Sequence, residues 1–384
     1  MSRTFCSYFD SGRCRSCSRI EREYSFQLRT KELKLQKDLA FLGPIQLEPT
    51  VMSATQGFRN RAKMAVTGTL EAPVIGLHGD EDLDQGRELL SCPIHHPRLN
   101  EVIEALPELL KSYRIEPYQI AERRGELKGL IAFHSPLSNE MYLRFVLRSQ
   151  ESIARLRKMV PELQSRFPFL ACISANLQPI PHAILEGPEE IFLTERKDIV
   201  HQLGSLRLTL APQAFVQTNV DVATRLYETA AEWIAEILPD KAMELFCGHG
   251  AFSLMAAQSA RSWLGIEVNA DAVRQANETA DLLSYSHVRF HCADAAQVGS
   301  DLAEFSPELV LVNPPRRGLG GAVSLIRDSL PLHLIYSSCN SESLAADLKA
   351  LAAHYHVRRA RIFDLFPHTD HFETLVWLER RCPL

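Results

Sequence analysis

From residue 221 to residue 378 short apolar runs alternate with amphipathic segments, and few folds are open to a chain patterned this way. Helical periodicity over 221–238 leads into an apolar strand over 242–246 and a helix over 251–259. Strands over 263–268, 288–292, 309–312 and 332–337 then follow, with helices over 271–283, 322–329 and 343–353 among them. Repeated strand–helix–strand units give a parallel sheet covered on both faces. The last two runs, 357–363 and 373–378, have no helix between them, which predicts an antiparallel hairpin at one edge of a seven-stranded sheet.

Before residue 210 the texture differs. Short β-like segments at 141–147, 169–176 and 191–194 are interrupted by prolines, glycines and basic loops, which indicates an α+β domain. A length of 384 residues also favours two domains over one. The expected division is 1–210 and 211–384. The formal net charge of -5 carries no global signal for nucleic acid, so any such contact must come from local basic patches. No stretch approaches the roughly 18 apolar residues that a membrane span needs, and the first residues lack an apolar signal core. A cytoplasmic protein is expected. Its nine cysteines then serve as ligands, nucleophiles or buried apolar residues rather than disulfides.

In an open α/β sheet, ligands sit beyond the carboxyl ends of the strands. After the first strand comes ELFCGHG (244–250), whose Gly248 and Gly250 allow a tight turn and close backbone approach. Glu267 follows the second strand, placed to accept hydrogen bonds from ribose hydroxyls. Asp294 follows the third, and Asn313 opens Asn313-Pro314-Pro315-Arg316 after the fourth. A dinucleotide site wants a further glycine or alanine where Ser253 stands, and no second mononucleotide half is present. The constellation therefore favours S-adenosylmethionine over NAD, and a Rossmann-like methyltransferase domain.

The segment Ile335 to Asn340, IYSSCN, sets Cys339 just past the fifth strand on the same rim, among polar neighbours. A thiolate there has a chemical use. C5 of uracil is a poor nucleophile until a thiolate adds to C6, after which C5 can attack a methyl sulfonium. The C5 proton must then be removed, and Glu373, at the start of the final strand, is the candidate general base. Periodicity alone makes Glu373 a surface charge. Cys6, Cys14 and Cys17, with Cys92 far downstream, form a four-thiol set suited to zinc or to a [4Fe-4S] cluster, and spacing alone does not separate the two.

GRCRSC near the start, QGFRNRAKM (56–64), RGELKG (124–129), LRFVLRS (143–149), AFVQTN, ELFCGHG, LVNPPRRG, IYSSCN and FPHTDHFE occur in this order. Over nearly the whole chain this series resembles the RNA 5-methyluridine methyltransferase family, and within it the branch acting on bacterial 23S ribosomal RNA. The resemblance implies methylation of C5 of a specific uridine in that RNA, with Cys339 as nucleophile and Glu373 as base. It implies that Gln217, Phe246, Glu267 and Asn313 contact S-adenosylmethionine. It further implies that Cys6, Cys14, Cys17 and Cys92 hold a [4Fe-4S] cluster in a domain presenting RNA, with part of the N-terminal segment packing back on the methyltransferase domain. A monomer is expected. Asn313 replaces the aspartate of many relatives, and with the cysteine set this points away from the transfer-RNA branch. Too few residues precede Cys6 for the additional N-terminal barrel of another ribosomal branch, so none is expected. His249 has no role in this reading.

Basic residues gather at Arg59, Arg61 and Lys63, at Arg123, Arg124 and Lys128, and at Arg144 and Arg148, with Phe58 available to stack on a base. A stacked uridine cannot meet Cys339 and a sulfonium together, so a flipped or unpaired base is expected. Three readings compete. An amino-group methyltransferase would use Asn313-Pro314-Pro315 and need no cysteine, and a transfer-RNA uridine methyltransferase would share the chemistry. A non-catalytic RNA-binding assembly factor would need neither nucleophile nor base.

Overall fold

The computed structural model describes residues 4–80, 82–180 and 186–381, which divide into two compact units. One comprises Met1–Glu21 and Ala54–Val220, the other Arg22–Ser53 and Asp221–Leu384. The division differs from a single cut at 210. The chain leaves the first unit after residue 21, contributes 22–53 to the second, and returns.

The second unit holds an eight-stranded sheet rather than a seven-stranded one. In spatial order its strands are Leu47–Val51, Tyr355–Phe363, Glu373–Arg380, His333–Ser338, Leu309–Val312, Lys241–Leu245, Ser262–Glu267 and Val288–Cys292. The final two strands do form an antiparallel pair, but the pair is not at the edge. Leu47–Val51 runs parallel to Tyr355–Phe363 and satisfies the N–H and C=O row that an edge strand leaves open. The proline at 49 interrupts this short segment, which hides its strand character in the sequence. The central strands are buried on both faces, Leu309–Val312 at all four positions, as a sheet covered by helices requires.

Helices Ala270–Leu282, Ala322–Ser329 and Ser341–Leu351 fall where periodicity places them, and a short helix, Gly299–Phe305, fills the gap before Leu309. That helix buries only Leu302, too little apolar pattern to be visible in sequence. The helix Tyr24–Asp38 buries Leu28 and Leu35, and Leu35 joins the sheet core with Leu344 and Leu348.

The first unit is built on a seven-stranded sheet, in spatial order Arg87–Glu88, Pro73–Leu77, Arg61–Gly68, Leu127–Ser135, Glu140–Leu147, Leu170–Leu177 and Glu189–Phe192. Helices Pro97–Ser112 and Ile153–Arg166 supply Leu99, Val102, Leu106, Leu156 and Leu163 to its core. Pro107 and Pro161 lie inside these helices and mask them in the sequence. Among the described residues no helix is long and apolar enough to cross a membrane.

Candidate active site

In the second unit the carboxyl ends of the parallel strands bring Phe246, Glu267, Asn313 and Cys339 to one rim. The antiparallel strand Glu373–Arg380 starts at that same rim, with Thr374 opposite Ser338. Extending the register by one residue sets Glu373 across from Cys339. Side chains alternate along a strand, so Ser337 and Cys339 share a face, and Glu373 projects on it from the neighbouring strand. The Ser337 hydroxyl accordingly donates to Glu373 Oε1 at 2.9 Å.

Glu373 is 2% exposed. Burial pushes its carboxyl up to about 7, and the Ser337 hydrogen bond only partly offsets this. The Cys339 thiol is half-buried and is also raised, first by burial and then by the Glu373 charge. The Arg316 guanidinium opposes both effects by its charge and by a hydrogen bond to the sulfur. Arg316 in turn stands 3.0 Å from His371 Nδ1, a ring nitrogen able to accept from it. Cys339 precedes Asn340, whose side chain caps the helix Ser341–Leu351 by accepting from the Glu342 N–H. A thiolate at this helix start is favoured by the helix dipole.

The loop carrying Asn313 and Arg316 is tied to the nucleophile's helix. Asp347 Oδ2 accepts from Tyr336 Oη at 2.7 Å and from the Leu319 N–H at 2.8 Å, and Asn340 Nδ2 donates to the Arg316 carbonyl at 3.1 Å. Gly318 has φ +87°, and a Cβ there would lie 2.5 Å from Asp347 Oδ2.

Phe246 sits at φ +61°, uncommon for a bulky side chain, at the start of the turn. Gly248 at φ +54° has open space where a Cβ would be, and its N–H donates to Glu267 Oε2 at 3.0 Å. The Asn269 N–H holds Glu267 Oε1 at 2.9 Å. Turn and carboxylate thus form one oriented unit whose remaining lone pairs suit a diol. Asn313 lies beside the turn, its N–H donating to the Leu245 carbonyl. Ser253 is engaged by the buried Glu244 carboxylate, which accepts from its N–H at 3.0 Å, and burial raises that carboxyl to about 8. Burial pushes His249 down to about 4, so the turn carries a neutral imidazole at physiological pH. Asp294 is exposed and caps its own turn through the Ala296 N–H.

The remaining candidate positions lie in the first unit. Gln217 is in the segment before the helix Val220–Ile237. Cys6, Cys14, Cys17 and Cys92 are free thiols. Burial, then the charges of Cys92, Cys14 and Cys6, push the Cys17 thiol up to about 12, so the four sulfurs share one neighbourhood. Backbone N–H groups of Ile94 and His95 point at the Cys92 sulfur. Among the described residues, however, no group of three or more His, Cys, Asp or Glu side chains is arranged to hold a single metal ion.

Of the eight basic residues in the three clusters, Arg61 and Arg144 are buried and several others are engaged by carboxylates or carbonyls. Arg144 is 1% exposed and bridges Glu186 and Glu190 at 2.6 Å each. Arg148 pairs with Glu126, Lys63 with Glu186, and Lys128 donates to two backbone carbonyls. Phe58 is buried. Arg123 and Arg124 remain on the exposed surface, Arg124 paired with Glu122. Strand periodicity explains why charge alone misled: Arg144 points inward among carboxylates that come from a distant segment. Arg316, His371, Ser337 and Asp347 were not singled out as functional residues in the sequence. The signal for Ser337 was its two-residue spacing from Cys339.

Residues 193–381 match the family model described as tRNA (Uracil-5-)-methyltransferase. The chain is 41% identical over 377 residues to the 23S rRNA (uracil(747)-C(5))-methyltransferase RlmC of Pectobacterium atrosepticum, covering 98% of this chain and 99% of that protein. The Yersinia pestis (strain Pestoides F) protein of the same name is 40% identical over 378 residues, with the same coverage. Among solved structures, Pyrococcus abyssi tRNA (uracil-54, C5)-methyltransferase in complex with S-adenosyl-L-homocysteine matches with a TM-score of 0.79 and 23% identity. That match covers 94% of this chain and 85% of that one, and it shows a shared fold.

Proposed function

The chain belongs to the RNA (uracil-C5)-methyltransferase family, and from that premise we propose that it methylates C5 of uracil 747 in 23S rRNA, as its relatives are named for doing. The observation that carries the chemistry is the pairing of Cys339 and Glu373 across adjacent strands, with Glu373 buried and raised to about 7.

The Cys339 thiolate adds to C6 of the flipped uracil, which gives C5 carbanion character. S-adenosylmethionine, when bound, supplies an electrophilic methyl on a sulfonium centre. Once C5 carries the methyl, Glu373 takes the C5 proton, the C6–S bond breaks, and its electron pair returns to sulfur. Arg316 donates to that sulfur and so favours the thiolate as both attacking and leaving group. A base whose carboxyl titrates near neutrality accepts a proton without standing as a permanent second anion beside the thiolate. Phe246, Glu267, Asn313 and Gln217 are the residues assigned to the methyl donor, Glu267 through the ribose hydroxyls.

The [4Fe-4S] cluster is proposed on the first unit's cysteine set, supported by the resemblance and by the influence of Cys92, Cys14 and Cys6 on the Cys17 thiol. A single zinc ion bonds sulfur at about 2.3 Å and draws all four thiolates close together. A cluster gives each cysteine its own iron, and the reading of a cluster rather than zinc rests on the family resemblance. Cys6, Cys14, Cys17 and Cys92 would hold it, and its contribution would be to tie residues 4–21 to the 91–95 loop. Anaerobically purified protein is expected to carry about four irons per chain with a broad visible absorbance, lost in Cys17→Ser. One zinc per chain and no visible absorbance would overturn the cluster. The reading places the enzyme in the cytoplasm, where thiols stay reduced.

Transfer of labelled methyl from S-adenosylmethionine to 23S rRNA lacking the modification tests the function. Nuclease digestion should release the label as 5-methyluridine from position 747. Label in a methylated exocyclic amine would contradict it.

A further inference from the structure

The loop between the last two strands, Asp364 to Phe372, delivers Glu373 and His371 to the reaction rim, yet much of what fixes it comes from residues more than 300 positions earlier. On the helix Tyr24–Asp38, positions 24, 27 and 31 share one face. Tyr24 Oη donates to Asp364 Oδ2 at 2.8 Å, and Lys31 Nζ donates to Asp364 Oδ1 at 2.6 Å and to the Phe366 carbonyl at 3.1 Å. Gln27 Oε1 accepts from the His368 N–H at 2.8 Å, while its amide nitrogen lies 3.3 Å from His368 Nδ1.

Two of these contacts, Lys31 to Asp364 and Gln27 to the His368 N–H, are buried. Lys31 and Asp364 are 3% and 0% exposed, so neither charge could stay buried without the other. His368 sits at φ +64°, a backbone state a non-glycine residue holds only when its surroundings impose it, and Gln27 grips its N–H from outside the loop. Inside the loop the Thr369 hydroxyl donates to Phe366 O and accepts from the His371 N–H, passing the anchorage forward to His371 and its partner Arg316. Leu28 and Leu35 already bury this helix, so a polar triad on the same side needs a reason beyond packing.

We propose that Tyr24, Gln27 and Lys31 are positioning residues that hold the 364–372 loop so that Glu373 meets the C5 proton of the covalent intermediate. They act through the loop, by the hydrogen bonds to Asp364, Phe366 and His368. The inference rests on the proposed uracil chemistry. Displacing a catalytic group by ~1 Å costs on the order of 100-fold in rate, and here the loss falls on proton removal, after the Cys339 adduct has formed.

The test uses the full chain, S-adenosylmethionine and an RNA hairpin with an ordinary uridine at the target. Gln27→Met is expected to lower kcat by roughly 10- to 100-fold, with KM for S-adenosylmethionine within about twofold. A denaturation-resistant protein–RNA adduct, absent at steady state in the unaltered protein, should accumulate. If Gln27→Met does not fold, the double variant Lys31→Met/Asp364→Asn, which removes both buried charges together, gives the same readout. Adduct resolution at the unaltered rate in the folded variant overturns the proposal, as does failure of both variants to fold, which assigns the triad to stability alone. Should the unaltered protein form no adduct even with 5-fluorouridine RNA, the uracil chemistry fails instead, so the two failures are distinguishable.

Discussion

Glu373→Gln is expected to stop the reaction halfway and, at alkaline pH, to make the protein more stable. An amide cannot take the C5 proton, so addition of Cys339 and methyl transfer proceed while elimination does not. The product is a methylated protein–RNA adduct on ordinary uridine, with turnover reduced by about 10²- to 10⁴-fold. The stability change has the opposite sign. The Glu373 carboxyl is raised from an ordinary 4.5 to about 7 by burial, so the folded chain retains a proton that the unfolded chain releases. That contribution is fully present below the unfolded value and is lost as pH rises through about 7. At pH 8 the native protein holds a buried charge that glutamine lacks, and the variant gains on the order of 3 kcal/mol. Thermal melts at pH 5 and pH 8 check this. A gain at pH 8 no greater than at pH 5 would mean that the carboxylate is solvated.

Cys339→Ala is expected to abolish both turnover and adduct, a loss on the order of 10⁴-fold or more, because Cys339 is the thiol set opposite Glu373 and beside Arg316. The thiol is only half-buried, so the variant should fold and bind S-adenosylmethionine with little change. Cys172→Ala is the control. That thiol is fully buried in the strand Leu170–Leu177, its pKa raised to about 12 by desolvation, and it lies in the first unit's sheet. Its loss should cost packing and leave the chemistry intact. Full activity in Cys339→Ala would favour methylation of an amino group, where no covalent adduct is required.

Much of this site is legible in the sequence because it follows from period and topology. Parallel strands end on one rim, so Phe246, Glu267, Asn313 and Cys339 could be grouped by reading the residue after each apolar run. Glu373 was harder. Its burial depends on a register across two strands separated by 34 residues, and only the family resemblance pointed to it. The clamp of Tyr24, Gln27 and Lys31 was invisible for the same reason taken further. The helix is strongly polar, with buried Gln27 and Lys31, and its partners lie at the other end of the chain. The basic patches erred in the opposite direction. Arg144 read as a phosphate contact because its carboxylate partners Glu186 and Glu190 lie far along the sequence. Local pattern therefore located the rim, and long-range pairing decided which charges on the chain were free to act.

The central claim is that Cys339 bonds to a uracil whose C5 receives the methyl group. It is tested most directly by intact mass spectrometry of the protein mixed with S-adenosylmethionine and a hairpin carrying 5-fluorouridine at the target position. Fluorine cannot leave as a proton does, so the complex should stall with a mass equal to protein plus RNA plus one methyl, and peptide mapping should place the link at Cys339. Methylation of ordinary RNA with no adduct from the fluorinated hairpin, or an adduct on another residue, would contradict the account.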